Sequence, residues 1–238
     1  MKTLVLLSMI LPTISAACQH VINRAWGPSQ TPIKGNYCAI MLDGFDTDIQ
    51  TIQQFKARGK ETIAYTSIGT VESWRPDSKE FTNQMIVRKY NEFGEKWINP
   101  KKWELIKPII YKRFKLFKSK GFNSVEIDNI DLIGNVKGAD ENNVYNYALW
   151  LSKTAHNLGL KIYLKNTSYL CDKLVSFFDG LITEQADIYP SDIEGYKYFI
   201  EHGKSWWDFE YTPIRNRNKL KIATAVYRTR GSEWKKVL

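Results

Sequence analysis

Histidine and cysteine are scarce in this sequence, and their scarcity removes whole classes of chemistry. The three cysteines, Cys18, Cys38 and Cys171, stand too far apart for a zinc framework. The three histidines, His20, His156 and His202, lack the spacing of metal ligands. No glycine-rich loop is present to cradle a phosphate. Past the first seventeen residues no apolar run approaches the ~20 residues of a membrane span. Repeats, linkers and low-complexity segments are missing too, so the chain reads as one domain. No nucleic-acid motif accompanies its formal net charge of +9. Lysines such as Lys112, Lys115, Lys118 and Lys120 scatter over helical faces as on a solvated surface. The expectation is a monomer with no metal, no cofactor, no nucleic-acid partner and no membrane span.

The first segment has the form of a secretory leader over residues 1–17. Lys2 supplies the charged start, Leu4–Leu11 the apolar stretch, and Ser15-Ala16-Ala17 the small residues of a cleavage site. Cleavage there would leave Cys18 first, as in a lipoprotein, but Ser15 stands where the lipidation signal usually has Leu. In a secreted chain Cys18 and Cys38 are candidates to pair. Residues 18–238 then form a single folded domain, with 43% hydrophobic residues in the whole chain to supply a core.

Strand and helix patterns alternate to the end. Strands are expected at Tyr37–Leu42, Thr62–Ile68, Lys96–Ile98, within Val125–Asp131, and at Lys161–Leu164, Phe177–Thr183, Ser205–Phe209 and Leu220–Val226, with a closing helix at Ser232–Val237. Eight strands alternating with helices imply an α/β fold, a single (β/α)8 TIM-type barrel. Six of these strands run into hydrogen-bonding or charged residues: Asp43, Asn99, Asp128, Lys165 with Asn166, Glu184 with Gln185, and Glu210 with Tyr211. One such ending caps a helix or fixes a turn. A ring of them at the C-terminal edge of a barrel is where chemistry is placed.

The ring is rich in carboxylates. Alternation along Val125–Asp131 sends Glu126 and Asp128 to one side of their strand, with Asp128 nearer the mouth. Two facing carboxyl groups serve glycoside hydrolysis, one as proton donor and the other as nucleophile or general base. Trp74, Tyr65, Tyr189, Trp206, Trp207 and Tyr211 lie near the strand ends and offer faces for sugar rings, several of them being core. Two other readings stay open. Asp128, Asn129 and Asp131 could hold Mg²⁺ or Ca²⁺ for phosphoester chemistry, or the mouth could bind sugar without cleaving it.

Several blocks are similar to those of a known family. They are Leu42-Asp43-Gly44-Phe45-Asp46-Thr47, Ala64-Tyr65-Thr66-Ser67-Ile68-Gly69, Glu72-Ser73-Trp74-Arg75-Pro76-Asp77, Gly94-Glu95-Lys96-Trp97-Ile98-Asn99 and Gly121 through Asp131. Leu164-Lys165-Asn166, Glu184-Gln185, Gly203-Lys204 and Glu210-Tyr211 follow in the same order. The sequence resembles the secreted endo-α-1,4-polygalactosaminidases, glycoside hydrolase family 114, over nearly all of residues 18–238. The resemblance implies a (β/α)8 barrel and a retaining endo-glycosidase acting on a galactosaminogalactan-type polysaccharide. It also implies that Asp128 and Glu184 are the catalytic pair, with Glu184 as acid/base, Asp128 as nucleophile, and the exchange of these roles open. Asp43, Glu72, Trp74, Arg75, Asn129, Asp131, Lys165, Asn166, Gln185, Glu210 and Tyr211 are the expected substrate-binding residues. The sequence departs from the family where Met41 and Asn99 stand in place of Asp and where Ala186 and Asp192 stand in place of a Cys pair. Fewer rim acids and a basic surface weaken the case for a cationic polymer, so a different polysaccharide is the alternative.

Overall fold

The computed structural model describes residues 21–24, 37–230 and 233–238. The leader segment and Cys18 lie outside the described residues. Cys38 is disulfide-bonded, and Cys171 is a free, buried thiol.

Eight parallel strands form a (β/α)8 TIM-type barrel. In chain order they are β1 (Val21–Arg24), β2 (Ala39–Asp43), β3 (Glu61–Ser67), β7 (Ser124–Asp128), β8 (Lys161–Lys165), β9 (Gly180–Glu184), β10 (Ser205–Glu210) and β11 (Ala225–Arg230), each hydrogen-bonded to the next. The gap in numbering is an excursion after β3, in which β4 (Thr70–Val71), β5 (Ile86–Tyr90) and β6 (Lys96–Ile98) make a small antiparallel sheet. A ninth strand of the main sheet, β12 (Glu233–Lys236), pairs antiparallel with β11.

These segments form strands because both faces of a covered parallel sheet are buried, so apolar and β-branched side chains serve every position. Alternation then sorts them. Val21, Ala39, Met41, Ile63, Tyr163, Ile182, Trp207, Phe209, Ala225 and Tyr227 pack together inside the barrel. Ile40, Leu42, Ala64, Val125, Ile127, Ile162, Leu164 and Leu181 belong to the outer core, with the helices. The Tyr227 hydroxyl accepts the Val21 backbone N–H at 2.6 Å, joining the last parallel strand to the first.

The helices carry clear start and stop signals. Asp48 caps α1 (Ile49–Ala57), accepting the Thr51 N–H, and Asp140 caps α3 (Glu141–Asn157), accepting the Asn143 N–H. Gly121, at φ 101°, ends α2 (Lys107–Lys120). The short α4 (Cys171–Leu174), α5 (Ile193–Glu201) and α6 (Arg217–Leu220) complete the outer layer.

The expected number of strands holds, but its membership differs. Lys96–Ile98 is not a barrel strand: the Ile98 N–H donates to the Gly69 carbonyl, and Lys96 and Trp97 pair with β4. Val21–Arg24 takes the place in the count. Where a closing helix was expected at Ser232–Val237, Glu233–Lys236 is extended against β11.

Candidate active site

Alternation that fills the barrel with apolar side chains lower down brings polar ones inward at the C-terminal edge. Tyr65 lies in register with Glu126, and Ser67 with Asp128. Lys165 on β8 and Glu184 on β9 end their strands beside them.

Lys165 is the centre of this group. Its ammonium, almost wholly buried, donates to Asp128 Oδ1 at 3.0 Å and Glu126 Oε1 at 3.2 Å, and pairs with Glu184 Oε1 at 3.5 Å. Two of its three N–H donors are thus hydrogen-bonded, and the third carboxylate is held by charge. Burial alone would lower the proton affinity of Lys165, but Asp128, Glu184 and Glu126 outweigh it and hold its pKa well above the usual lysine range. Lys165 therefore stays charged and fixes the acids. Its hydrogen bonds go to Asp128 and Glu126, at the centre of the expected substrate-binding group.

Asp128 receives two further donors on its other oxygen. The Tyr65 hydroxyl reaches Oδ2 at 2.8 Å and Asn129 Nδ2 at 3.3 Å. A phenol, an amide and an ammonium together fix the orientation of the Asp128 carboxyl group. Glu184 Oε1 accepts from the Tyr211 hydroxyl at 2.9 Å. The Glu184 side chain is 28% exposed and that of Asp128 17%, so both acids face the mouth. Burial pushes Glu126, just below them, up to about 7, with Lys165 opposing and Asp128 and Glu184 adding to the rise. Asp131 is pushed up to about 6, by burial first and then by Asp128.

Backbone strain is concentrated at the same edge. Among the described residues the non-glycine positions with positive φ are Asn129 (60°), Asn166 (49°), Thr167 (60°) and Gln185 (56°). They follow directly on Asp128, Lys165 and Glu184. Left-handed turns cost free energy at residues with a side chain, and such strain gathers at functional sites. Here the turns re-aim the chain at once after the acids. Asn166 Oδ1 accepts the Glu184 N–H at 3.0 Å, and its amide supports Asp131. Asn129 Nδ2 also reaches Ser67 Oγ at 3.0 Å. Both asparagines brace the pair rather than lying free.

The remaining expected site residues divide. Trp74, 54% exposed, and Tyr211, 44% exposed, stand at the surface with Tyr189, 59% exposed, where rings are available to a sugar chain. Gln185 is partly exposed. Asp43 is locked: both oxygens accept from Arg75, and Oδ1 also takes the N–H groups of Phe45 and Asp46. Arg75 is buried between Asp43 and Glu72. Direct contact by Glu72 is corrected, because it is wholly buried and both its oxygens bind Arg75. Arg75 gives four of its five N–H donors to those acids. Glu210 is corrected as well. In β10, Trp207 and Phe209 point inward, so Asp208 and Glu210 point outward, where Glu210 Oε1 accepts the Asp187 N–H at 2.7 Å. It anchors the loop behind Glu184. Trp206 and Trp207 are buried core residues.

Tyr65 gains a role that the sequence reading gave it only as an aromatic face: its hydroxyl binds Asp128. Counting alternate positions back from Ser67 would have put it on the inner face of β3. Among the described residues no group of three or more His, Cys, Asp or Glu is arranged to hold a metal ion. The space a cation would take between the acids is filled by the Lys165 ammonium. No described helix is long and apolar enough to cross a membrane.

Comparison with known proteins agrees with this geometry. No curated protein sequence matches at a significant level. The structure is similar to that of Aspergillus fumigatus Ega3, solved in complex with galactosamine, with a TM-score of 0.81, 20% identity, and coverage of 93% of this chain and 95% of that one. It is also similar to the glycoside hydrolase domain of PelA from Pseudomonas aeruginosa, with a TM-score of 0.63, 12% identity, and coverage of 88% and 92%. At these identities the likeness is one of fold. The family profile for glycoside-hydrolase family GH114 matches residues 11–237.

Proposed function

From the premise that the chain belongs to glycoside-hydrolase family GH114, and is a glycoside hydrolase, we propose that it is an endo-acting, retaining enzyme with Asp128 as nucleophile and Glu184 as acid/base. The observation that carries this reading is the shared ammonium. Asp128 Oδ1 and Glu184 Oε1 lie 3.0 and 3.5 Å from Lys165 Nζ. Two oxygens at those distances from one nitrogen stand no more than about 6.5 Å apart, which admits the ~5–5.5 Å of a retaining pair and only just reaches the ~6.5–9.5 Å that an inverting pair needs for its water.

The roles follow from the surroundings. Asp128, held by Tyr65, Asn129 and Lys165, is the better-oriented anion and attacks the anomeric carbon. Glu184, the more exposed acid, gives its proton to the departing glycosidic oxygen. A covalent glycosyl–Asp128 intermediate forms. Glu184 then takes a proton from the incoming water, which displaces Asp128 from the face the leaving group had occupied, so the second inversion restores the original configuration.

The substrate we propose is an amino-sugar polymer, with α-1,4-linked galactosamine as the first candidate. Ega3 was solved with galactosamine. The mouth itself sets Asp128, Glu184 and Asp131 around one lysine. A cationic sugar is attracted within a screening length of about 8 Å whatever the charge farther off. We also infer secretion, from the leader pattern of residues 1–17; mature protein starting at Cys18 by mass spectrometry is the expected result.

The test is digestion of galactosaminogalactan, chitosan and neutral galactans by wild type, Asp128→Asn and Glu184→Gln. Short oligomers from galactosaminogalactan, with retained anomeric configuration by NMR, are expected from wild type alone. Each variant should lose on the order of a thousandfold or more and keep its thermal midpoint. Near wild-type turnover in either variant would overturn the assignment. Cleavage of only a neutral polymer would keep the mechanism and change the substrate. Binding without cleavage by wild type would favour the sugar-binding alternative for this chain.

A further inference from the structure

Glu126 has no part in the two-acid mechanism, yet it sits directly beneath it. Its side chain is 1% exposed, and it meets the same Lys165 ammonium as the catalytic pair. Its Oε1 accepts from Lys165, while Oε2 is buried with no hydrogen-bond partner. An ionised carboxylate wants donors at both oxygens, so a charge here would be half unsolvated. The groups facing it are also mostly acidic. Asp128 lies on its own strand and Glu184 on β9, while β3 brings Tyr65 and β8 brings Lys165 and, in register, Tyr163. One positive charge among three carboxyl groups is best balanced when the most buried of them keeps its proton.

We propose that Glu126 is a positioning residue for cleavage: a buried, uncharged carboxyl that fixes the Lys165 ammonium where it bridges Asp128 and Glu184. The inference rests on the reading of those two acids as the catalytic pair. The bond Glu126 accepts from Lys165 orients the lysine, while its neutrality leaves the lysine's charge to Asp128 and Glu184. The upward push on its pKa noted above agrees with that state.

Two substitutions separate this role from a merely structural one. Glu126→Gln keeps a neutral acceptor for Lys165, whereas Glu126→Leu keeps volume without an acceptor. Glu126→Leu takes one acceptor from a buried ammonium and costs stability, but Asp128 and Glu184 still hold Lys165, and thermal melts of both variants separate loss of fold from loss of turnover. Glu126→Leu is expected to lose about a hundredfold in kcat with KM little changed. Glu126→Gln should restore kcat to within a fewfold of wild type. The kcat/KM profiles of wild type and Glu126→Gln should coincide below about pH 6 and separate above about pH 7, where only the wild type gains a charge. Infrared titration gives a readout apart from turnover: a protonated-carboxyl band persisting towards neutral pH in wild type and lost in Glu126→Gln.

Wild-type kcat in Glu126→Leu would overturn the proposal, as would Glu126→Gln as impaired as Glu126→Leu. A constant activity ratio at all pH values, or an unaltered infrared band, would also overturn it. Full turnover in Asp128→Asn or Glu184→Gln would instead remove the catalytic-pair premise and the proposal with it, and those two variants identify that failure separately.

Discussion

The Tyr65 hydroxyl donates to Asp128 Oδ2 at 2.8 Å, and Tyr65→Phe removes that bond while keeping the ring. A hydrogen bond to a charged group contributes about 1.5–3 kcal/mol, which is about ten- to hundredfold in rate when it holds the attacking oxygen in line. Steady-state kinetics should therefore show kcat down by that factor, KM little moved and the thermal midpoint kept. Asn166 yields a second expectation. Asn166-Thr167-Ser168 is a glycosylation sequon, but the Asn166 side chain is committed to the Glu184 N–H and to Asp131. Mass spectrometry of protein from a glycosylating host should find Asn166 unmodified, and a glycan there would displace the site. At this scale alternation made Glu126 and Asp128 legible, because a strand sends every second residue to one side. Position at a strand end points to Glu210, but the same alternation turns it outward in β10. A step of one residue exchanges inside for outside, and Phe209 is the inward residue there. The ion pairs that hold Arg75 and Lys165 depend on partners 32 and 37 residues away, which no local spacing reveals.

Between elements, the tightest approach is that of the β3–β4 turn to the loop after β7. A Cβ on Gly69 would lie 1.6 Å from the Asn129 carbonyl oxygen and 2.5 Å from its carbon. Backbone, not a movable side chain, would have to yield. Overpacking ordinarily costs about 1–3 kcal/mol and sometimes more, and here the loop that would move carries Asn129 and follows Asp128. Gly69→Ala should lower the thermal midpoint by several degrees and reduce turnover out of proportion to the folded fraction. Gly203→Ala is the control: φ is 69° and nothing lies within 4 Å. Strain alone, about 1 kcal/mol, should shift its midpoint slightly and leave kcat unchanged. Equal effects of the two would remove the close approach as the cause. The elements read well from sequence where they are long and bounded by caps, as in α1, α2 and α3. They read poorly where pairing decides. Lys96–Ile98 has three residues, and its partners are β4 and β5 rather than a barrel neighbour. Val21–Arg24 has four, and its strand state depends on pairing with β2. Glu233–Lys236 reads as helix by composition and is held extended by β11.

Across the whole molecule, buried acids set the pH dependence of stability. Burial raises the pKa of Glu72, Glu126, Asp131, Asp208 and Glu210 above ordinary carboxylate values. Asp208 is raised further by Glu210 beside it. Each such group binds its proton more tightly folded than unfolded. Its contribution is complete below the unfolded pKa, about 3.9 for Asp and about 4.3 for Glu, and is lost as pH rises through the folded value. For Asp131 that value is about 6, and for Glu126 about 7. Over this window the native state holds more protons than the unfolded chain, so stability falls as pH rises. The chain's formal charge of +9 acts in the opposite direction, since added positive charge in acid increases repulsion. Those charges are largely at the surface and are screened over about 8 Å at physiological ionic strength, whereas the buried acids are not. The buried acids should therefore win. At constant, near-physiological salt the thermal midpoint is expected to be highest near pH 5 and to fall by on the order of 5–10 °C by about pH 7.5. Differential scanning calorimetry across that range checks it, with Glu126→Gln combined with Asp131→Asn as the comparison. Removing two of the tightly held protons should flatten the slope. A midpoint that climbs from pH 5 to pH 7.5, or a slope the double variant leaves unchanged, would mean that these acids are ionised in the folded protein and that Lys165 stands among charged carboxylates.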